Sequence, residues 1–195
     1  MNRNLQLKYT RPAKRVSRLF EVVSRFKASR HGVAAVEFAL IAPVMLLMLL
    51  GTYEVAQAIA AKRKAVLTAT TVANIVTQYT SISATLTMPD ILNASASVLT
   101  PFAAANAIVV VSSISIDAQG KATIAWSQAL NGAARPVGQV VVIPAALDVP
   151  NTSLIFGETT YSYTPDIDFM SLGTSNLYSS VYMLPRSSTS ITLGP

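Results

Sequence analysis

The chain has 195 residues, a formal net charge of +6, a single histidine and no cysteine. Without cysteine there is no disulfide framework and no thiolate metal site, and a lone histidine, His31, excludes a His-containing triad or zinc site downstream. High aliphatic content with only 12% charged residues favours a membrane-attached class with room for one modest globular domain.

The charge is unevenly placed. Nine Lys and Arg residues precede His31 against one acid, Glu21, so the leader carries about +8 and the remainder about −2. Net charge of this local kind is not by itself a nucleic-acid-binding footprint, and no recognition fold is evident in the sequence. Positive charge flanking a first span instead keeps that side cytoplasmic, which places residues beyond about Ala61 outside. Val16, Leu19, Phe20, Val23 and Phe26 recur at helical spacing. The leader therefore reads either as a basic amphipathic helix on anionic lipid or as an extended basic flank that sets topology.

From Phe38 to Leu50 no side chain is polar, and Val33 to Tyr53 has about the length that crosses a hydrocarbon core of roughly 30 Å. Pro43 lies inside this span and deprives the Ala39 carbonyl of its helical donor, predicting a kink or local loosening. Glu37 is the one carboxylate in the segment. A charge there costs roughly 2.5 kcal/mol or more, so a partner is expected.

The run Arg30-His-Gly-Val-Ala-Ala-Val-Glu-Phe-Ala-Leu-Ile-Ala-Pro43, followed by Leu and Met residues, Gly51 and Glu54, resembles the N-terminal signature of TadE-like pseudopilins of the tight-adherence (Flp pilus) system. The resemblance implies cleavage by a prepilin peptidase between Gly32 and Val33, with Glu37 as the fifth residue of the mature chain. It also implies a single-pass protein of the bacterial inner membrane, a non-enzymatic role in pilus assembly, adhesion and biofilm formation, and no cofactor. The implied partners are the prepilin peptidase, other Tad pseudopilins, the inner-membrane assembly platform and the bilayer, with no nucleic acid and no small-molecule substrate. In such an assembly Glu37 would face the new α-ammonium of a neighbour's Val33, so that two costly buried charges neutralise each other.

A competing reading is a secreted periplasmic binding domain. Phe38 to Leu50 has the length of a signal-peptide core, and Ala56-Gln-Ala58 looks like a cleavage site, with the cut after Ala58. The long basic leader and the charged Glu54 count against it.

Residues 33 to about 79 read as one long helix with an apolar stripe at Val55, Ile59, Val66, Ala69, Ala73 and Val76, and with Lys62, Arg63 and Lys64 at the membrane boundary. Residues 80–105 suggest a connector with a short helix near Pro89 to Leu99, Asp90 supplying an acidic first turn. From Asn106 the pattern becomes β: Ile108 to Ile116 and Lys121 to Ser127 flank a short turn at Gly120, as in a hairpin. In that hairpin Ile114 and Ile116 share a face, as do Ile124 and Trp126. Val140 to Ile143, Leu154 to Tyr163 and Leu177 to Leu184 are further strand candidates.

The expected fold is α+β: a transmembrane helix continuing into an exported domain with three to five mainly antiparallel strands, pilin-like in plan. The domain reading is a cleaved leader at 1–32, a transmembrane helix at 33–61, a helix continuation and connector at 62–105, and a β-rich domain at 106–195. Asp166, Asp168 and Asn176 are the nearest approach to a hard-cation site, and a solvated turn accounts for them as well. Trp126, Tyr161, Tyr163, Tyr178 and Tyr182 read as core rather than as an adhesive surface, and Arg186 as part of a solvated tail.

Overall fold

The computed structural model describes residues 31–165, 167 and 173–195. The leader and the Asp166/Asp168 pair lie outside them. The chain divides into two compact units, one ending at Leu50 and one comprising Gly51–Pro195.

Helix α1, His31–Val76, runs through both units and passes Pro43 without interruption. In the first unit its side chains are uncovered: Phe38, Leu40 and Met48 are each about 70% exposed. An isolated helix this apolar has no partner in water, and it is long and apolar enough to cross a membrane.

In the second unit the described elements after α1 are β1 (Ser81–Ser83), α2 (Thr87–Ser97), β2 (Ala107–Ile116), β3 (Ala122–Leu130), β4 (Ser153–Tyr163), β5 (Ser175–Met183) and β6 (Thr192–Gly194). The α+β expectation is met. A four-stranded antiparallel sheet has the order β3-β2-β4-β5, while β1 and β6 form a separate parallel pair. The short helix expected near Pro89 is α2, which begins two residues earlier and buries Met88, Ile91 and Leu92. The expected strand at Val140–Ile143 reduces to one bridge, Thr123 to Val140, because its antiparallel partner β3 begins at Ala122 and leaves nothing for 142 and 143 to pair with.

One face of the sheet carries the main core. Val72 and Val76 of α1, Met88, Ile91 and Leu92 of α2, and Val109, Val111, Trp126, Ile155 and Tyr161 of the sheet pack together. Contact is close because α1 turns small residues inward: Ala61, Ala65, Ala69 and Ala73 are essentially fully buried. Gly157 lies against this stripe so tightly that a Cβ there would sit 2.5 Å from the Ala69 carbonyl oxygen. The stripe expected from the sequence is thus only half right. Ala69, Ala73 and Val76 face the core, whereas Val55, Ile59 and Val66 are 45–60% exposed. Space beneath the sheet selects small side chains, and hydrophobicity alone does not report that. Threonines in this part of the helix are accommodated by donating to carbonyls one turn back, Thr68 to Lys64 at 3.0 Å and Thr70 to Val66 at 2.8 Å.

The opposite face carries a smaller cluster of Ile114, Ile116, Ala122, Ile124, Leu154 and Phe156, closed by Val141, Ile143, Leu147 and Tyr182. Ile124 and Trp126 therefore point to opposite faces, against the sequence expectation. The β2·β3 register shifts between Ser113 and Ile114, which pair with Trp126 and Ile124 respectively, so Ala125 is the extra residue of a bulge and reverses the alternation.

The C-terminal segment is tied to the domain through hydrogen bonds to its main chain, while Arg186 itself is exposed. The Arg186 N–H donates to the Thr77 carbonyl at 2.9 Å, the Trp126 indole N–H to the Ile191 carbonyl at 2.6 Å, and the Ser153 hydroxyl to the Thr189 carbonyl at 2.7 Å.

Candidate functional site

Gly32, Val33 and Glu37 all lie in the first two turns of α1. Val33 and Glu37 are four residues apart and so share a helix face. Glu37 is exposed, and an added Cβ at Gly32 would meet nothing within 4 Å. The carboxylate thus stands at one end of an uncovered apolar helix. Pro43, one and a half turns further, has no N–H for the Ala39 carbonyl. A neighbouring helix or a polar group is the usual way to cover that defect in a bilayer.

The second unit contains a polar constellation that the sequence reading did not find. Glu158 sits mid-strand on the face opposite α1, opposite Ser180 of β5 and Val110 of β2, and is buried. Arg135, from the segment that crosses this face, donates to it twice, from Nε at 2.6 Å and from Nη2 at 2.7 Å. The Tyr178 hydroxyl donates to the same carboxylate at 2.7 Å. The guanidinium also stands 5.4 Å from the centre of the Phe156 ring, which stacks on Tyr182 at 4.4 Å. Hydrogen bonding to Glu158 holds the Arg135 pKa above its ordinary value against the effect of burial. Burial first, and the bond to Glu158 second, push the Tyr178 hydroxyl up; burial and the Glu158 charge do the same for Tyr182.

With both carboxylate oxygens engaged, this arrangement is a clamp. It fastens the 131–144 segment to the sheet and offers no free base or nucleophile. The one available signal was Glu158 as the sole acid inside the apolar strand Leu154 to Tyr163; its partner, 23 residues away in a loop, leaves no pattern. Among the described residues no three His, Cys, Asp or Glu side chains gather as for a metal ion. Trp126, Tyr161 and Tyr163 are core residues, as expected, whereas Tyr178 is about half exposed.

An uncovered apolar helix leading into a small α+β domain fits a single-pass membrane protein. Within that class, residues 32–74 match the family model described as TadE-like protein, a match lying wholly inside α1. The N-terminal resemblance is therefore borne out, and that family is structural and pilus-associated. No curated protein and no solved structure matches the chain.

Proposed function

We propose that this chain is a TadE-like pseudopilin, or minor pilin, that takes part in assembling Flp-type pili at the bacterial inner membrane. Its role is structural. A prepilin peptidase removes residues 1–32, the span beginning at Val33 stays in the bilayer until assembly, and the domain beyond Ala61 lies in the periplasm. Its partners are the peptidase, other Tad pseudopilins and the inner-membrane platform. The observation that carries this reading is the uncovered apolar helix with a single carboxylate one turn after Gly32-Val33. A carboxylate so placed is costly unless paired, and a neighbour's Val33 ammonium is the charge that cleavage creates.

Against the reading as a secreted binding domain, Ala58 lies in mid-helix and packs on the main core. A cut after it would open that core.

The test uses two assays on the same strains. Gly32→Arg is expected to block processing, because bulk and charge enter where the scissile backbone must bind. Glu37→Ala is expected to leave processing intact and to abolish or sharply reduce surface piliation and attachment. Wild-type attachment by processed Glu37→Ala protein contradicts the charge-pair role. A reporter that works only outside the cytoplasm, fused after Pro195, is expected to be active; an inactive fusion contradicts the topology.

A further inference from the structure

The inward turn of small residues on α1 leaves its large ones outside. Ile59, Val66 and Leu67 are each 45–50% exposed. They do not stand on a plain convex surface. Ile59 and Leu67 line a groove of about 560 Å³ whose far wall is Pro101 and Phe102, with Arg63 and Lys64 also lining it. A second concavity of about 340 Å³, bounded by Lys62, Arg63, Val66 and Leu67, continues it around the helix.

Two of the three cations here are available. Lys62 donates to the Tyr178 carbonyl. Arg63 and Lys64 have no ion-pair partner among the described residues, where the salt bridge found is Arg135–Glu158. Among the described residues no acid lines either concavity. An apolar floor bordered by two long-stemmed cations is complementary to an anionic amphiphile. Hydrocarbon covers the floor while the ammonium and guanidinium reach an anionic head group. In the sequence these are also the first cations after the apolar stretch that begins at Phe38.

We infer that this groove is a docking surface for anionic phospholipid of the membrane, by which the second unit is held at the bilayer interface through Arg63, Lys64, Leu67 and Phe102. The inference rests on the membrane-spanning reading of the apolar helix and adds to it a lipid-binding surface on the folded domain. Two basic residues near an anionic surface contribute enough to make the contact depend on lipid charge.

The chain has no cysteine, so single labels are unambiguous. Spin labels at Phe102→Cys, Leu67→Cys, Met45→Cys and Val142→Cys are placed on full-length chain held one copy per nanodisc. The discs contain phosphatidylcholine with or without phosphatidylglycerol. Native folding is checked by the fluorescence of buried Trp126. The label at Met45 is expected in hydrocarbon and the label at Val142, which is 93% exposed, in water. In discs with phosphatidylglycerol the labels at 102 and 67 are expected to be several-fold more accessible to oxygen than to a water-soluble nickel chelate. Arg63→Gln with Lys64→Gln is expected to return them toward the behaviour of position 142. A water-exposed label at both 102 and 67 in both discs overturns the proposal while a buried Met45 label keeps the spanning reading. A water-exposed Met45 label overturns both. Protection that needs two copies per disc assigns the groove to a second chain and overturns lipid as its occupant.

Discussion

Arg135 and Glu158 meet through two hydrogen bonds of 2.6 and 2.7 Å, with the arginine side chain 30% and the glutamate side chain 7% exposed. The asymmetry decides what each contributes. Removing the arginine strands a buried charge, whereas removing the carboxylate frees a guanidinium that can turn to water but orphans the Tyr178 hydroxyl.

Glu158→Ala is therefore expected to lower stability by about 2 kcal/mol, and Arg135→Ala by somewhat more. The double variant should lose less than the sum, since the two residues act as one unit. Denaturant unfolding followed by Trp126 fluorescence measures this. A Glu158→Ala change within about 0.5 kcal/mol of wild type contradicts the clamp.

The same cluster predicts an alkaline limit. Tyr178 and Tyr182 hold their protons above the ordinary value of 10.0, so the folded state keeps protons that the unfolded state has begun to lose. This stabilisation is complete below about pH 10 and is lost as pH rises through the higher folded values. Tyr178→Phe should flatten the fall. A stability curve above pH 10 that is identical in wild type and Tyr178→Phe contradicts the assignment to Tyr178.

Gly157→Ala tests the helix–sheet contact. Alanine ordinarily gains about 0.5–1 kcal/mol over glycine in a regular element. Here its Cβ would lie 2.5 Å from the Ala69 carbonyl oxygen and 3.0 Å from the Ala73 Cβ, so overpacking of about 1–3 kcal/mol is expected to win. A more stable Gly157→Ala protein shows that α1 packs less closely on β4.

What the sequence disclosed and what it hid follow from range. The apolar helix, α2, the β2–β3 hairpin, β4 and β5 depend on local composition and alternation and were legible. The Ala125 bulge was not, because one inserted residue in an alternating strand looks like continued alternation until its partner is known. The parallel pairing of Ser81–Ser83 with Thr192–Gly194 joins residues more than a hundred apart, and three-residue strands have no period to detect. Which face of α1 is buried was half hidden for a related reason. Two apolar faces compete on that helix, and Gly157, on another element, selects the one with the smaller side chains. Glu37 was visible because a lone acid in an apolar run stands out, whereas the Arg135–Glu158 pair is joined only by the fold.

The central proposal is that the chain is a pseudopilin processed at the start of α1, and the most direct measurement is the N-terminal sequence of the chain purified from membranes of cells with an active prepilin peptidase. The account predicts a mature start at Val33, four residues before Glu37. An intact Met1 terminus, or a start at Ile59, contradicts it.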